Sequence, residues 1–118
     1  MKIKSGQIYV EKYIYGLDTT LQRFWFAKGR KGGVLELVFL TFYNNSAGTI
    51  DKPYVLLRHN GEIIRYYYAA SVTTKTARIM PYSLYLDGGD ELGVEMTGAA
   101  NGDLVEVAAQ WIWHADRD

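Results

Sequence analysis

Tyr82-Ser83-Leu84-Tyr85-Leu86-Asp87-Gly88-Gly89-Asp90-Glu91-Leu92-Gly93-Val94-Glu95-Met96-Thr97 is the stretch whose reading decides the fold. A short apolar run enters a turn of aspartate and glycine, and a second run leaves it. Aspartate bonds its own backbone and glycine accepts positive φ, so Asp87 to Asp90 reads as a tight turn. A further turn, Gly98-Ala99-Ala100-Asn101-Gly102-Asp103, leads into a long strand through Trp113. Short β-runs about ten residues apart mark a sandwich or a barrel.

The rest of the chain extends this pattern. In the last strand Val105, Val107, Ala109, Trp111 and Trp113 share one face, and Glu106, Ala108 and Gln110 share the other, the alternation of a half-buried strand. Asn60-Gly61 separates Tyr54–His59 from Glu62–Tyr68. Both turn residues tolerate positive φ, so a type I′ hairpin is expected there. Gln7–Ile14 and Thr20–Lys28 read as the first two strands, with Phe24 and Phe26 on one face of the second and Trp25 on the other. Val72–Met80 turns strand-like near its end, and Pro81, which lacks an amide hydrogen, suits an edge or a strand start.

Val34–Tyr43 is the most hydrophobic run. Strict alternation puts Leu35, Leu37 and Phe39 on one face and Val38, Leu40 and Phe42 on the other. Two readings stand: a central strand covered on both sides, or a strand whose outer face meets a partner subunit. No window of a dozen residues shows helical periodicity with caps. The expected fold is one antiparallel β-sandwich over residues 1–118, jelly-roll-like, with about eight strands. A small closed barrel is the rival. Met1–Gly6 reads as an N-terminal arm, and residues 114–118 as a fraying tail.

A chain of 118 residues can bury enough surface for one core without a covalent staple. It has no cysteine, which excludes disulfides, thiolate nucleophiles and cysteine-held zinc. Thirteen basic and thirteen acidic residues cancel, so nothing favours nucleic acid as a partner. Zero net charge also does little to oppose self-association. No apolar stretch reaches the length of a membrane helix. No apolar run follows the first lysines, so an export signal is not expected and the chain reads as soluble.

Catalytic patterns are sparse. His59 and His114 lie in different strands, outside any zinc-binding spacing, so neither a zinc site nor the imidazole-held metal of a cupin-like enzyme is supported. Asp87-Gly88-Gly89-Asp90-Glu91 carries oxygens suited to calcium but not the spacing of an EF-hand, and the turn reading prevails. Glu36, Glu62, Glu95 and Glu106 alternate with apolar residues as solvent-facing strand positions do, so an acid–base pair is not indicated. No serine lies in a nucleophile elbow, and no phosphate-binding glycine motif occurs. Gly29-Arg30-Lys31-Gly32-Gly33 reads as a solvated hairpin loop. Asn44-Asn45-Ser46 matches the glycosylation sequon, a match read as coincidence without a secretion signal. No catalytic residue, metal or cofactor is expected.

Ten tyrosines, four phenylalanines and three tryptophans are many aromatics for this length, and aromatics are enriched in interface cores. In Tyr66-Tyr67-Tyr68, alternation puts Tyr66 and Tyr68 with the core and leaves Tyr67 for an interface. With Trp25, Val38, Leu40 and Phe42 it makes up the expected contact set, the apolar side chains left over once a core is assigned.

Gly33–Trp113 resembles small all-β accessory proteins of tailed-bacteriophage virions. The likeness rests on Val34-Leu35-Glu36-Leu37-Val38-Phe39-Leu40 leading into Thr41-Phe42-Tyr43-Asn44-Asn45-Ser46-Ala47-Gly48. A proline-led strand then enters the turn Leu86-Asp87-Gly88-Gly89-Asp90-Glu91-Leu92. The resemblance implies a non-enzymatic role in decorating a capsid or joining head, neck or tail, within a virion assembled in a host cytoplasm. The implied partners are other copies, a homotrimer among the options, and a capsid, neck or tail protein; nucleic acid and membrane are not expected. The alternative is a carbohydrate-binding module that uses surface tyrosine and tryptophan.

Overall fold

A computed structural model describes residues 6–68, 71–80 and 83–116, apart from the side chains of Lys52, Tyr66, Tyr67 and Tyr68. Among the described residues nine strands form: β1 (Ile8–Leu17), β2 (Leu21–Lys28), β3 (Gly33–Asn44), β4 (Asp51–His59), β5 (Glu62–Tyr68), β6 (Ala77–Met80), β7 (Leu84–Leu86), β8 (Glu91–Thr97) and β9 (Asp103–Ala115). Asn60 and Gly61 both have positive φ (50° and 80°), as a type I′ hairpin between β4 and β5 requires.

The strands pair antiparallel in two sheets. One runs β1-β9-β3-β6 with β7 also on β3, and the other runs β2-β8-β4-β5. Counting β6 and β7 as one position gives two four-membered sheets in jelly-roll order, so the fold is a β-sandwich and not a closed barrel. The described residues hold nine strands where about eight are expected. β6 pairs with Leu40–Tyr43 and β7 with Leu35–Leu37, so the two short strands share one strand position beside β3.

Two bulges settle which residues make the core. β3 slips against β9 at Val38, so that Leu37 pairs with Trp111 and Phe39 with Gln110. The slip turns Leu40 and Phe42 to the same side as Leu35 and Leu37, and the four are buried with Val107, Ala109 and Trp111. β2 slips against β8 between Trp25 and Ala27, so Phe26 and Ala27 both reach the space between the sheets. A bulge re-aims side chains in this way because one extra residue reverses the alternation beyond it. From the facing sheet Val55, Leu92, Val94 and Met96 close the core. Full burial of each such side chain contributes about 1.5–3 kcal/mol.

β9 also runs further than the sequence indicates. His114 pairs with Val34 and Ala115 with Gly33, and Asp116 N donates to Gly32 O, so the chain is strand or strand-bonded to Asp116 rather than frayed from His114. Met1–Ser5 of the expected arm lie outside the described residues.

Candidate assembly surface

The two sheets present opposite kinds of outer face. On the four-stranded sheet Trp25, Gly93 and Leu56 form one row. Gly93 has no side chain, and a Cβ there would stand 2.7 Å from the Trp25 indole, so the ring lies over the glycine. The Arg58 guanidinium sits 4.2 Å from the Trp25 ring centroid and pairs with Glu91 at 3.0 Å. Arg23, beside Glu95 in the next row, and Arg65, which continues the first row from Leu56, clamp Glu95, through Nη2 to Oε2 at 2.8 Å and Nη2 to Oε1 at 2.6 Å. Arg65 lies over the Tyr54 ring. Glu95 is 1% exposed, not solvent-facing as alternation alone suggests. Burial opposes its ionisation, but hydrogen bonds from Arg23 and Arg65 outweigh that and hold its carboxyl below the usual range. The centre of this face is covered in this way, while Leu21 and Ile63 stand exposed on its two edge strands.

The five-stranded sheet is different. Across its outer face the register lays down rows of Ile8–Ile112–Glu36–Tyr85, Val10–Gln110–Phe39, Lys12–Ala108–Thr41–Ile79 and Ile14–Glu106–Tyr43–Ala77. Ile8, Val10, Ile14, Phe39, Ile79 and Tyr85 are 40–66% exposed. The polar groups of this face engage one another, Lys12 pairing with Glu106 at 3.7 Å and the His114 imidazole hydrogen-bonded to Glu36 at 2.8 Å. A face whose polar groups are already partnered can be covered at lower cost. Its edge strand β1 runs ten residues without a bulge, and Lys12 is its one outward charge, so little blunts that edge.

The expected contact residues fare unevenly. Leu40 and Phe42 are fully buried core and cannot reach a partner; the Val38 bulge is the reason. Val38 itself is the half-buried bulge residue on this strand, beside the exposed Phe39. Trp25 is half-buried beneath Arg58. Tyr67 pairs with Val55 in β5, and its side chain lies outside the described residues. Sequence reading missed the β1 residues Ile8, Val10 and Ile14, although their alternation with Tyr9, Tyr13 and Tyr15 made β1 apolar on both faces. It also missed Phe39, which it paired with the wrong neighbours.

Other chemistry-bearing side chains are already engaged. Asp90 spends Oδ1 on His59 Nδ1 (2.6 Å) and Oδ2 on the Asp87 amide (3.1 Å), closing the turn as a turn. Among the described residues no three histidine, aspartate or glutamate side chains cluster as metal ligands. Asn44 of the sequon is fully buried. Its amide nitrogen donates to Gly48 O and Val72 O, and its Oδ1 accepts from Ser46 N, so no glycan can be carried there in the folded chain.

At the open side of the sandwich, between β1 and β2, the rings form a seam. Tyr15 stacks on Phe24 at 4.2 Å between centroids, and Tyr13 tilts on Phe26 at 5.1 Å. Burial raises the Tyr13 pKa, and donation of its hydroxyl to Glu11 raises it further, so both rings stay neutral and packed at physiological pH.

No family model matches the sequence, and no curated protein matches it. Among solved structures, a chain from the disulfide-linked pili of Bacillus endospore appendages is similar over 98% of this chain and 97% of its own. The TM-score is 0.43 and the identity 13%.

Proposed function

We infer that this chain is an assembly subunit that works by contact rather than catalysis, with the outer face of its five-stranded sheet laid against neighbouring copies. The observation that carries the reading is the run of exposed apolar side chains across one face, Ile8, Val10, Ile14, Phe39, Ile79 and Tyr85; on the other face Trp25, Arg58, Glu95 and the arginines cover the centre and leave Leu21 and Ile63 open at its edge strands. The second copy is the occupant because the chain carries no net charge to keep copies apart and the polar groups of the face are partnered within it.

Size allows such a contact. β1 and β9 run ten and thirteen residues, so the face extends roughly 30 Å along the strands and about 19 Å across four of them, on the order of 600 Å² in projection. A stable interface needs about 800 Å² of accessible surface from each partner, which a face of that extent approaches once its side chains are counted. Repetition of the contact around a closed ring such as a trimer multiplies it. The likeness of Gly33–Trp113 to virion accessory proteins supports placing such a ring on a capsid, neck or tail.

The test is sedimentation velocity on the wild type and on a Val10→Lys/Phe39→Lys double variant. Both sites are exposed, so the fold should survive, as far-UV circular dichroism would report. The wild type should sediment as a multimer and the variant as a single chain. An unchanged multimer in the variant, or a wild-type monomer at high concentration, would refute the reading.

A further inference from the structure

A second feature lies on the other side of β1. A cleft of about 300 Å³ opens between the sheets at the β1/β2 edge, lined by Tyr9, Glu11, Phe26, Leu35 and the Ala27–Arg30 segment. That volume is at the lower end for small-molecule sites, enough for one ring-sized group. Tyr9 from one sheet and Phe26 from the other stand at its sides, and the core residue Leu35 contributes apolar surface.

The polar groups narrow the ligand. Glu11 faces the cleft with acceptor oxygens, one of them already taken by the Tyr13 hydroxyl. Arg30 is exposed and, among the described residues, holds no ion pair; burial and the Glu11 carboxylate raise the Tyr9 pKa, and the Arg30 charge opposes them in part. The segment that carries Arg30 is fixed. Gly29 N donates to Asp90 O at 2.7 Å, and a Cβ at Gly29 would lie 1.8 Å from Asp87 O, so the β2–β3 connection is held against the β7–β8 turn. A held backbone at Arg30 removes part of the ordering cost of binding, leaving the side chain's own.

We propose that this cleft binds an acidic pyranose, a sugar residue bearing a carboxylate. The rings offer faces for the sugar's C–H surface, Glu11 accepts from hydroxyls, and Arg30 pairs with the carboxylate, for which a guanidinium fork is suited. A neutral sugar leaves Arg30 unused. A plain apolar acid leaves Glu11 facing carbon. The site lies on the opposite side of β1 from Ile8, Val10 and Ile14, so it can be tested whether or not copies associate.

The test is a two-dimensional NMR titration of the full chain with methyl glucuronide, methyl glucoside and cyclohexanecarboxylate. Methyl glucuronide should give saturable shifts at Tyr9, Phe26, Gly29 and Arg30. The glucoside and the carboxylate should each bind at least about tenfold more weakly, the scale of one charge-assisted hydrogen bond. Arg30→Ala, at an exposed loop position, should weaken the glucuronide by a similar factor and leave the glucoside unchanged. Three results would each overturn the proposal: no saturation with the glucuronide, equal binding of the glucoside, or equal binding of the carboxylate.

Discussion

Trp25 lies over Gly93, and the contact leaves no room for a side chain on the glycine. A Cβ at Gly93 would meet the indole at 2.7 Å and the Phe24 carbonyl oxygen at 2.5 Å. The second contact is backbone and cannot swing aside. Gly93→Ala should therefore destabilise the fold by about 1–3 kcal/mol, the usual cost of overpacking. Gly88→Ala, where the nearest atoms would stand at 3.4–3.5 Å, should stay within about 0.5 kcal/mol of wild type. Urea denaturation of both variants decides it.

The Arg23–Glu95–Arg65 clamp makes stability depend on acid pH in a stated direction. The Glu95 pKa is lowered from its ordinary 4.5, so its contribution is fully present above the unfolded-state value and is lost as pH falls through the lower folded-state value. Glu95→Gln should flatten the acid limb of a stability–pH curve while leaving its shape above neutrality alone. The arginine heads are about half exposed, so removing Glu95 returns them to water at modest cost. Removing both arginines instead strands a buried carboxylate. Arg23→Ala/Arg65→Ala should therefore lose more stability at pH 7 than Glu95→Gln, and chemical denaturation at pH 7 ranks the two.

Asn44 ties the β3–β4 connection to Val72 through three side-chain hydrogen bonds within the fold. Asn44→Ala strands Gly48 O and Ser46 N in a buried setting, at about 2–3 kcal/mol. The thermal midpoint should drop by roughly 10 °C for a domain of this size, which differential scanning calorimetry would show. Asn44→Asp should be no better at neutral pH, because it sets a carboxylate oxygen against two carbonyl oxygens.

Much of this fold was legible in the chain, and the failures share one cause. Alternation located most strands, and Asn60-Gly61 located its hairpin, because these signals are local. The direction of side chains in β3 was not legible beyond Val38, since a bulge leaves no mark on composition: Val38 is as apolar as its neighbours. One inserted residue moved Leu40 and Phe42 from the expected contact surface into the core and put Phe39 outside. Glu95 was misread for a related reason. Its position is outward, as alternation says, but its burial comes from arginines on β2 and β5, residues 72 and 30 positions away. Apolar side chains do stand exposed, on β1 and at Phe39 rather than at Leu40 and Phe42.

The central claim is that the uncovered face of the five-stranded sheet is covered in the working protein. Methyl-labelled NMR with a soluble paramagnetic agent tests it on the unmodified chain. In an isolated subunit Ile8, Val10, Ile14 and Ile79 are as open to solvent as Leu21 and Ile63, which lie on the other sheet. The account predicts that at assembly concentration the first four are shielded from the agent while Leu21 and Ile63 broaden. Equal broadening of all six would contradict it.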